Sequence, residues 1–310
     1  MAETGLSDTQ DDSKILLYFE SQKELLSALH KTDINVLQYY LDIFAKNDAT
    51  AEPVLWINPG LYGDTGMGSA RAALSLTGPS RAFLMQNYNV RKYSRMAVQI
   101  HNRTVVSAKP NLMAGQTAFY NKLPLVPFMP FGRNIDGLSG MLTRFIYPES
   151  KSAYTDFCLP HNIAVNTSNT KESLLDLKPG IADLAMALAV VNKGNSRDPF
   201  YYYGELFSSV GSLSNSGFVD QLHGSFSLQF NAVIAYYEKM LEEYQRTPSD
   251  WAADLEAHIE KIRDKMRNPM SVFGKEGCGL SLERAKFHLY HYGELLKIWP
   301  ELWQKGKAAF

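Results

Sequence analysis

The sequence predicts a mainly α protein with a few short strands, in which helical N- and C-terminal parts flank an irregular, basic, Gly/Pro-rich middle. Three observations carry that prediction. Apolar residues recur at helical spacing through most of the second half. Prolines and glycines punctuate residues 53–132 too often for long regular elements. Between Asp64 and Asp136, moreover, 71 consecutive residues contain no Asp or Glu but nine basic side chains: Arg71, Arg81, Arg91, Lys92, Arg95, Arg103, Lys109, Lys122 and Arg133. Composition alone would place about seven carboxylates there. The other 239 residues hold 22 basic and 32 acidic groups, so the net charge of −1 conceals a +9 segment against a −10 remainder.

Residues 1–13 are polar and acidic and read as a tail or arm. Residues 14–52 read as a helical hairpin. Asp12 or Ser13 can cap a first helix carrying Ile15, Leu16, Phe19, Leu25, Leu26 and Leu29. A second starts near Thr32–Asp33 and carries Ile34, Leu37, Tyr40, Leu41 and Phe44. Residues 53–170 form the basic, irregular region. Val54–Ile57 reads as a short extended segment ended by a turn at Asn58-Pro59-Gly60. A Gly-rich loop then leads to a short helix at about Ser69–Leu76, and Met96–Ile100 and Arg103–Ser107 are compatible with strands. Residues 123–132, with Pro124, Pro127 and Pro130, exclude helix and interior strand and predict an extended apolar arm. Such an arm lies on its own core or on a neighbour.

Residues 171–310 are helical. Asp183–Asn192 follows Pro179-Gly180, and Asp198-Pro199 starts a helix through Ser208. Residues 225–246 keep Phe226, Phe230, Val233, Ile234, Tyr237, Leu241 and Tyr244 on one face. Ser249–Arg267 turns Trp251, Leu255, Ile259, Ile262 and Met266 inward. A last helix spans about 281–298, and Pro300 separates it from an aromatic tail with Trp299 and Trp303.

At 310 residues, 45% hydrophobic and 20% charged, the chain has the composition of a globular protein. No apolar run reaches the ~20 residues needed to cross a bilayer. The N-terminus lacks a signal pattern, so an intracellular protein without membrane contact is expected. Cys158 and Cys278 are too few for a disulfide scaffold and are expected as free thiols.

Motifs for chemistry are incomplete. Gly63-Asp-Thr-Gly-Met-Gly68 has the context of a phosphate loop, but Ser69 stands where the Lys belongs and Ala70 where the magnesium-binding hydroxyl belongs. His288, His291 and Glu294 lack the HExxH arrangement, and Cys278 is a lone thiol. Gly137-Leu-Ser139-Gly140 misses the nucleophile-elbow spacing, and Cys158 with His161 has no orienting third group. The sequence therefore predicts no enzyme, no cofactor, and no catalytic or metal residues.

Binding is the better expectation. Tyr88-Asn-Val-Arg91-Lys92-Tyr93-Ser-Arg95 interleaves cations with rings that can hold phosphates and stack on bases without reading sequence. The RNA-contact candidates are Arg81, Arg91, Lys92, Tyr93, Arg95, Arg103 and Lys109. The alternative is that these cations pair with carboxylates from elsewhere in the fold and that Tyr88 and Tyr93 are core. Subunit-contact candidates are Leu125, Phe128 and Phe131 on the arm and Trp299 and Trp303 in the tail.

In its size, abundant Tyr and Phe, helical pattern and turns such as Asn58-Pro-Gly60 and Pro127-Phe-Met-Pro-Phe131, the chain resembles the capsid proteins of small double-stranded RNA viruses of the partitivirus kind, including their protozoan-infecting relatives. That resemblance implies a helical shell protein forming dimers that build an icosahedral particle. Its partners would be itself in many copies, viral RNA without sequence preference, and the viral polymerase. Its place would be the virion and, during assembly, the host cytoplasm. A second reading is the nucleoprotein of a segmented negative-strand RNA virus, with a basic cleft between two helical lobes. Against it stands the pI of about 6.7. A cellular helical scaffold, or an enzyme with an unrecognised site, remains as a third.

Overall fold

Mainly helical secondary structure with a small mixed sheet is what the chain forms, as its composition and periodicity predict. The computed structural model describes residues 14–19, 36–45, 52–64, 70–101, 103–108, 117–161, 174–175, 177–274 and 278–308. Among the described residues six strands make one sheet: β1 (Lys14–Phe19), β2 (Val54–Asp64), β3 (Met96–His101), β4 (Val105–Ser107), β5 (Ala118–Phe119) and β6 (Lys151–His161). Their order is β1–β3–β2–β6–β4, with β5 also pairing to β2. Among the described residues only the β2–β6 pairing is parallel.

Two expectations are corrected here. Lys14–Phe19 forms strand β1 rather than the start of a helix. It pairs antiparallel with β3 in the register Lys14↔His101 to Phe19↔Met96, and tertiary pairing overrides local preference for so short an apolar run. The remainder of that expected helix lies outside the described residues. The expected turn at Asn58-Pro59-Gly60 is also absent, because β2 runs straight through it. Its pairing with β6 shifts register between Val54 and Trp56 and again between Asn58 and Gly60. A proline has no N–H for a ladder, and a register irregularity is where a strand tolerates one.

Nine helices are present among the described residues: α1 (Val36–Phe44), α2 (Gly78–Met85), α3 (Tyr88–Arg91), α4 (Ile135–Ile146), α5 (Ile181–Val191), α6 (Pro199–Ser212), α7 (Asn215–Glu243), α8 (Ser249–Arg267) and α9 (Leu282–Ala308). The short helix expected near Ser69 is a 3₁₀ segment, Ala70–Ser75. Asp198 caps α6 as its sequence suggests, accepting from the Tyr201 N–H at 3.0 Å. α7 starts earlier than expected, capped by Ser214. Phe218, Val219 and Leu222 extend its buried stripe. α9 continues through Pro300 rather than stopping there. The cost of an interior proline, about 3 kcal/mol, is offset by packing of the turn before it, since Leu296 is buried and Trp299 packs against the main core.

α6 and α9 approach most closely. A Cβ placed on Gly293 would lie 2.5 Å from the Gly204 carbonyl oxygen, and one on Gly211 would lie 2.7 Å from the Tyr290 amide nitrogen. Glycine is required at this crossing because backbone meets backbone. Phe207 and Tyr292 stack beside it, with ring centroids 5.8 Å apart.

Candidate nucleic-acid interface

The basic stretch reaches its place through α2 and α3. Gly78 adopts φ +53°, and Pro79 begins α2 with its fixed φ. One turn on, Arg81 points at the junction between α7 and α8. Its guanidinium lies 4.0 Å from the Tyr244 ring centre and 3.9 Å from that of Trp251. It donates through Nη2 to the Thr247 carbonyl at 2.6 Å. Burial pushes the Arg81 pKa down, against the smaller opposing influence of Tyr244, Tyr88 and Glu243. Trp251 is held in turn by donating its indole N–H to the Leu74 carbonyl at 3.0 Å.

Arg91 closes α3 with its guanidinium 4.0 Å from the Phe83 ring centre, donating to the Phe83 carbonyl at 2.7 Å. Lys92 places Nζ 2.6 Å from Asp254 Oδ2, and both side chains are about one-tenth exposed or less. The Tyr88 hydroxyl donates to the same oxygen at 3.0 Å. Burial is the largest cause raising the Tyr88 pKa, and the Asp254 charge adds to it. Arg95 grips Asp64 with two bonds, Nε to Oδ2 at 2.9 Å and Nη2 to Oδ1 at 2.6 Å. Such fork-on-carboxylate pairing is among the stronger polar contacts available to a protein.

The RNA-contact expectation is therefore corrected for Arg81, Arg91, Lys92 and Arg95. The first three are buried, and Lys92 and Arg95 are neutralised by carboxylates of this same chain. Tyr93 packs partly buried against the main core. What looked like a polyanion surface is a clamp that fastens α2 and α3 onto α8 and ties the end of β2 to the chain just after α3. Arg103 is exposed next to β4, and Lys122 and Arg133 are also exposed. Lys109 lies outside the described residues. Asp254, the α8 carboxylate that completes the clamp, is a residue the sequence reading passed over. A signal existed, since Asp254 sits three residues after Trp251 and four before His258, on the inward stripe of α8.

The apolar arm is likewise turned onto its own chain. Val126 and Met129 are fully buried. Trp299 donates to the Leu125 carbonyl at 2.5 Å, Tyr292 to the Pro127 carbonyl at 2.8 Å, and Tyr147 to the Pro124 carbonyl at 2.8 Å. Phe128 packs edge-on to Trp56, with centroids 6.3 Å apart. Leu125, Phe128 and Trp299 are thus corrected to intramolecular packing. Trp303 is half-buried beside Trp299, with centroids 6.3 Å apart. Phe131 alone of the arm candidates is exposed, stacked on His288 at 4.7 Å.

Other sites offer little chemistry. Cys158 sits in β6, where burial pushes its thiol up to about 12, the reverse of nucleophile activation. His161 Nδ1 lies 2.5 Å from the Asp64 carbonyl oxygen. His288 and His291 face Phe131 and Phe287 rather than a common centre. Among the described residues, no group of three His, Cys, Asp or Glu side chains is placed to hold a metal ion. A cavity of about 210 Å³ lies between α5, α7 and α8, lined by Arg71, Asp183, Gln229, Phe230, Tyr237 and His258 among others. Its Asp183 is occupied as a helix cap, accepting from the Gly180 N–H and from Asn134 at 2.7 Å each. Its lining contains no Ser, Cys or Lys to act as a nucleophile.

No protein-family model, curated protein or solved structure significantly matches this chain.

Proposed function

We propose that the chain is a self-assembling structural protein of the shell type, built to be covered by further copies of itself and to enclose RNA. The observation that carries this reading is α9, which is apolar on two opposite faces. Ala285, Leu289, Tyr292 and Leu296 are buried inward, while Phe287, Tyr290, Ile298 and Leu302 are exposed outward. The outward stripe also carries Glu294 and Glu301, but exposed large apolar side chains clustered opposite a buried face mark a contact surface. Further large apolar side chains are exposed on separate elements: Leu41 on α1, Val106 on β4, Val190 and Val191 on α5, and Leu228 on α7. A closed assembly needs more than one kind of contact per subunit, which apolar positions on several faces would supply.

RNA inside such a particle would meet exposed cations such as Arg103, Lys122 and Arg133 rather than the sealed Arg81–Arg95 clamp. Contact would be weak and salt-sensitive, and virions would be its place. Negative-stain electron microscopy of the purified protein, with and without RNA, tests the reading. Closed isometric particles support it. Rings or helices that form only with RNA would instead make the chain a nucleoprotein. A particle-free monomer in both conditions overturns both viral readings.

A further inference from the structure

We propose that two copies of this chain pair antiparallel through the outward face of α9, about a two-fold axis that passes between Glu294 and Leu295. The proposal rests on the self-assembly reading and supplies the geometry of one of its contacts. At 100° per residue, Phe287, Tyr290, His291, Ile298 and Leu302 fall within about one third of the helix circumference, opposite the face buried against α6. Phe287 is 59% exposed and Ile298 is 52% exposed, so these are not rim atoms of the core.

The pattern is self-complementary. Phe287 and Leu302 are equidistant from the point between Glu294 and Leu295, as are His291 and Ile298. An antiparallel mate therefore sets each Phe287 against Leu302 of the second copy and each His291 against Ile298 of the second copy. This is the isologous relation that a two-fold contact requires. Charge is mixed under the same symmetry: reversal brings Glu283 near Lys305 and Lys307, sets Arg284 opposite Lys305 of the second copy, and opposes the two helix dipoles. Near the axis the two Glu294 carboxylates would approach, but each already has its own Lys297 ammonium at 2.6 Å.

The patch extends beyond the helix. Phe131 stacks on His288 beside Phe287, and exposed Tyr201 on α6 lies 5.9 Å from the Lys297 ammonium. At their observed exposures, Phe131, Tyr201, Phe287, Tyr290, Ile298 and Leu302 together present on the order of 500 Å². With a polar rim, that approaches the roughly 800 Å² per partner of a standard specific interface.

The test uses the full chain. Phe287→Asp with Ile298→Asp places charge on exposed positions, and circular dichroism confirms that folding is retained. Sedimentation velocity should show wild-type assemblies replaced by species lacking the two-fold contact, with the dimer constant weakened at least 100-fold. In a Cys158→Ser, Cys278→Ser background, Phe287→Cys protein mixed with Leu302→Cys protein should form a disulfide-linked heterodimer on mild oxidation. Neither alone should cross-link. A wild type that assembles and a double-Asp variant that assembles equally well would overturn this contact while leaving self-assembly standing. Cross-linking of Phe287→Cys with itself would overturn the antiparallel geometry. A wild type that stays monomeric would overturn the self-assembly reading first.

Discussion

Replacing Lys92 by Met should destabilise the fold by about 3–5 kcal/mol, the usual cost of leaving one member of a buried ion pair without its partner. The magnitude follows from the geometry. The Lys92 side chain is 8% exposed, that of Asp254 is 11% exposed, and they meet at 2.6 Å. After substitution, Asp254 keeps the Tyr88 hydroxyl but loses its cation, and water cannot replace the ammonium in a sealed site. Removing both charges with Asp254→Leu added to Lys92→Met should restore much of the loss, because matched apolar groups can replace a buried pair at little cost. Urea unfolding at pH 7 reads both. At a slope of about 3 kcal/mol/M, the single variant's midpoint should fall by about 1–1.7 M. A fall below about 0.3 M is what an exposed ion pair would give. That result would refute the clamp and return Lys92 to the surface as an RNA-facing cation.

Three other outcomes follow from the same structure. Gly293→Ala should destabilise by at least about 1–3 kcal/mol, because its methyl would press on the α6 backbone and force α6 and α9 apart; thermal unfolding measures it. His258 is pushed down to about 4, chiefly by burial, so the unfolded chain binds its proton near pH 6.5 while the native state does not. The stability this contributes is complete above pH 6.5 and is lost as pH falls toward 4, by up to about 3 kcal/mol. His258→Gln should flatten that part of the stability profile, and an unchanged profile would count against the burial. Both thiols are raised by burial, so a disulfide reagent at pH 8 should label native protein slowly and react with both cysteines once urea unfolds it.

Much of the helical half was legible because its signals are local. Asp198-Pro199 caps α6, and the Trp251, Leu255, Ile259, Ile262 stripe marks α8 within its own sequence. The sheet was less legible for a physical reason. β2 is buried along most of its length and crosses Asn58-Pro59-Gly60 on register shifts, which no local rule distinguishes from a turn. β1 owes its state to β3, more than 75 residues away in sequence. The acid-free stretch shows the same limit at the level of the site. Its lack of carboxylates was visible, but the acids that neutralise it, Asp64 and Asp254, lie outside it, and only the fold brings them in. The double-faced character of α9 stayed hidden because which of its apolar stripes lies inward is decided by Gly204, Gly211 and Gly293, not by hydrophobicity.

We propose that this surface is covered by other copies of the chain. Light scattering coupled to size exclusion, run on purified protein from about 1 to 100 μM, tests it most directly. The expected result is a mass above the 34.8 kDa of one chain that rises with concentration. A single 34.8 kDa species across that range, with or without RNA, would contradict it.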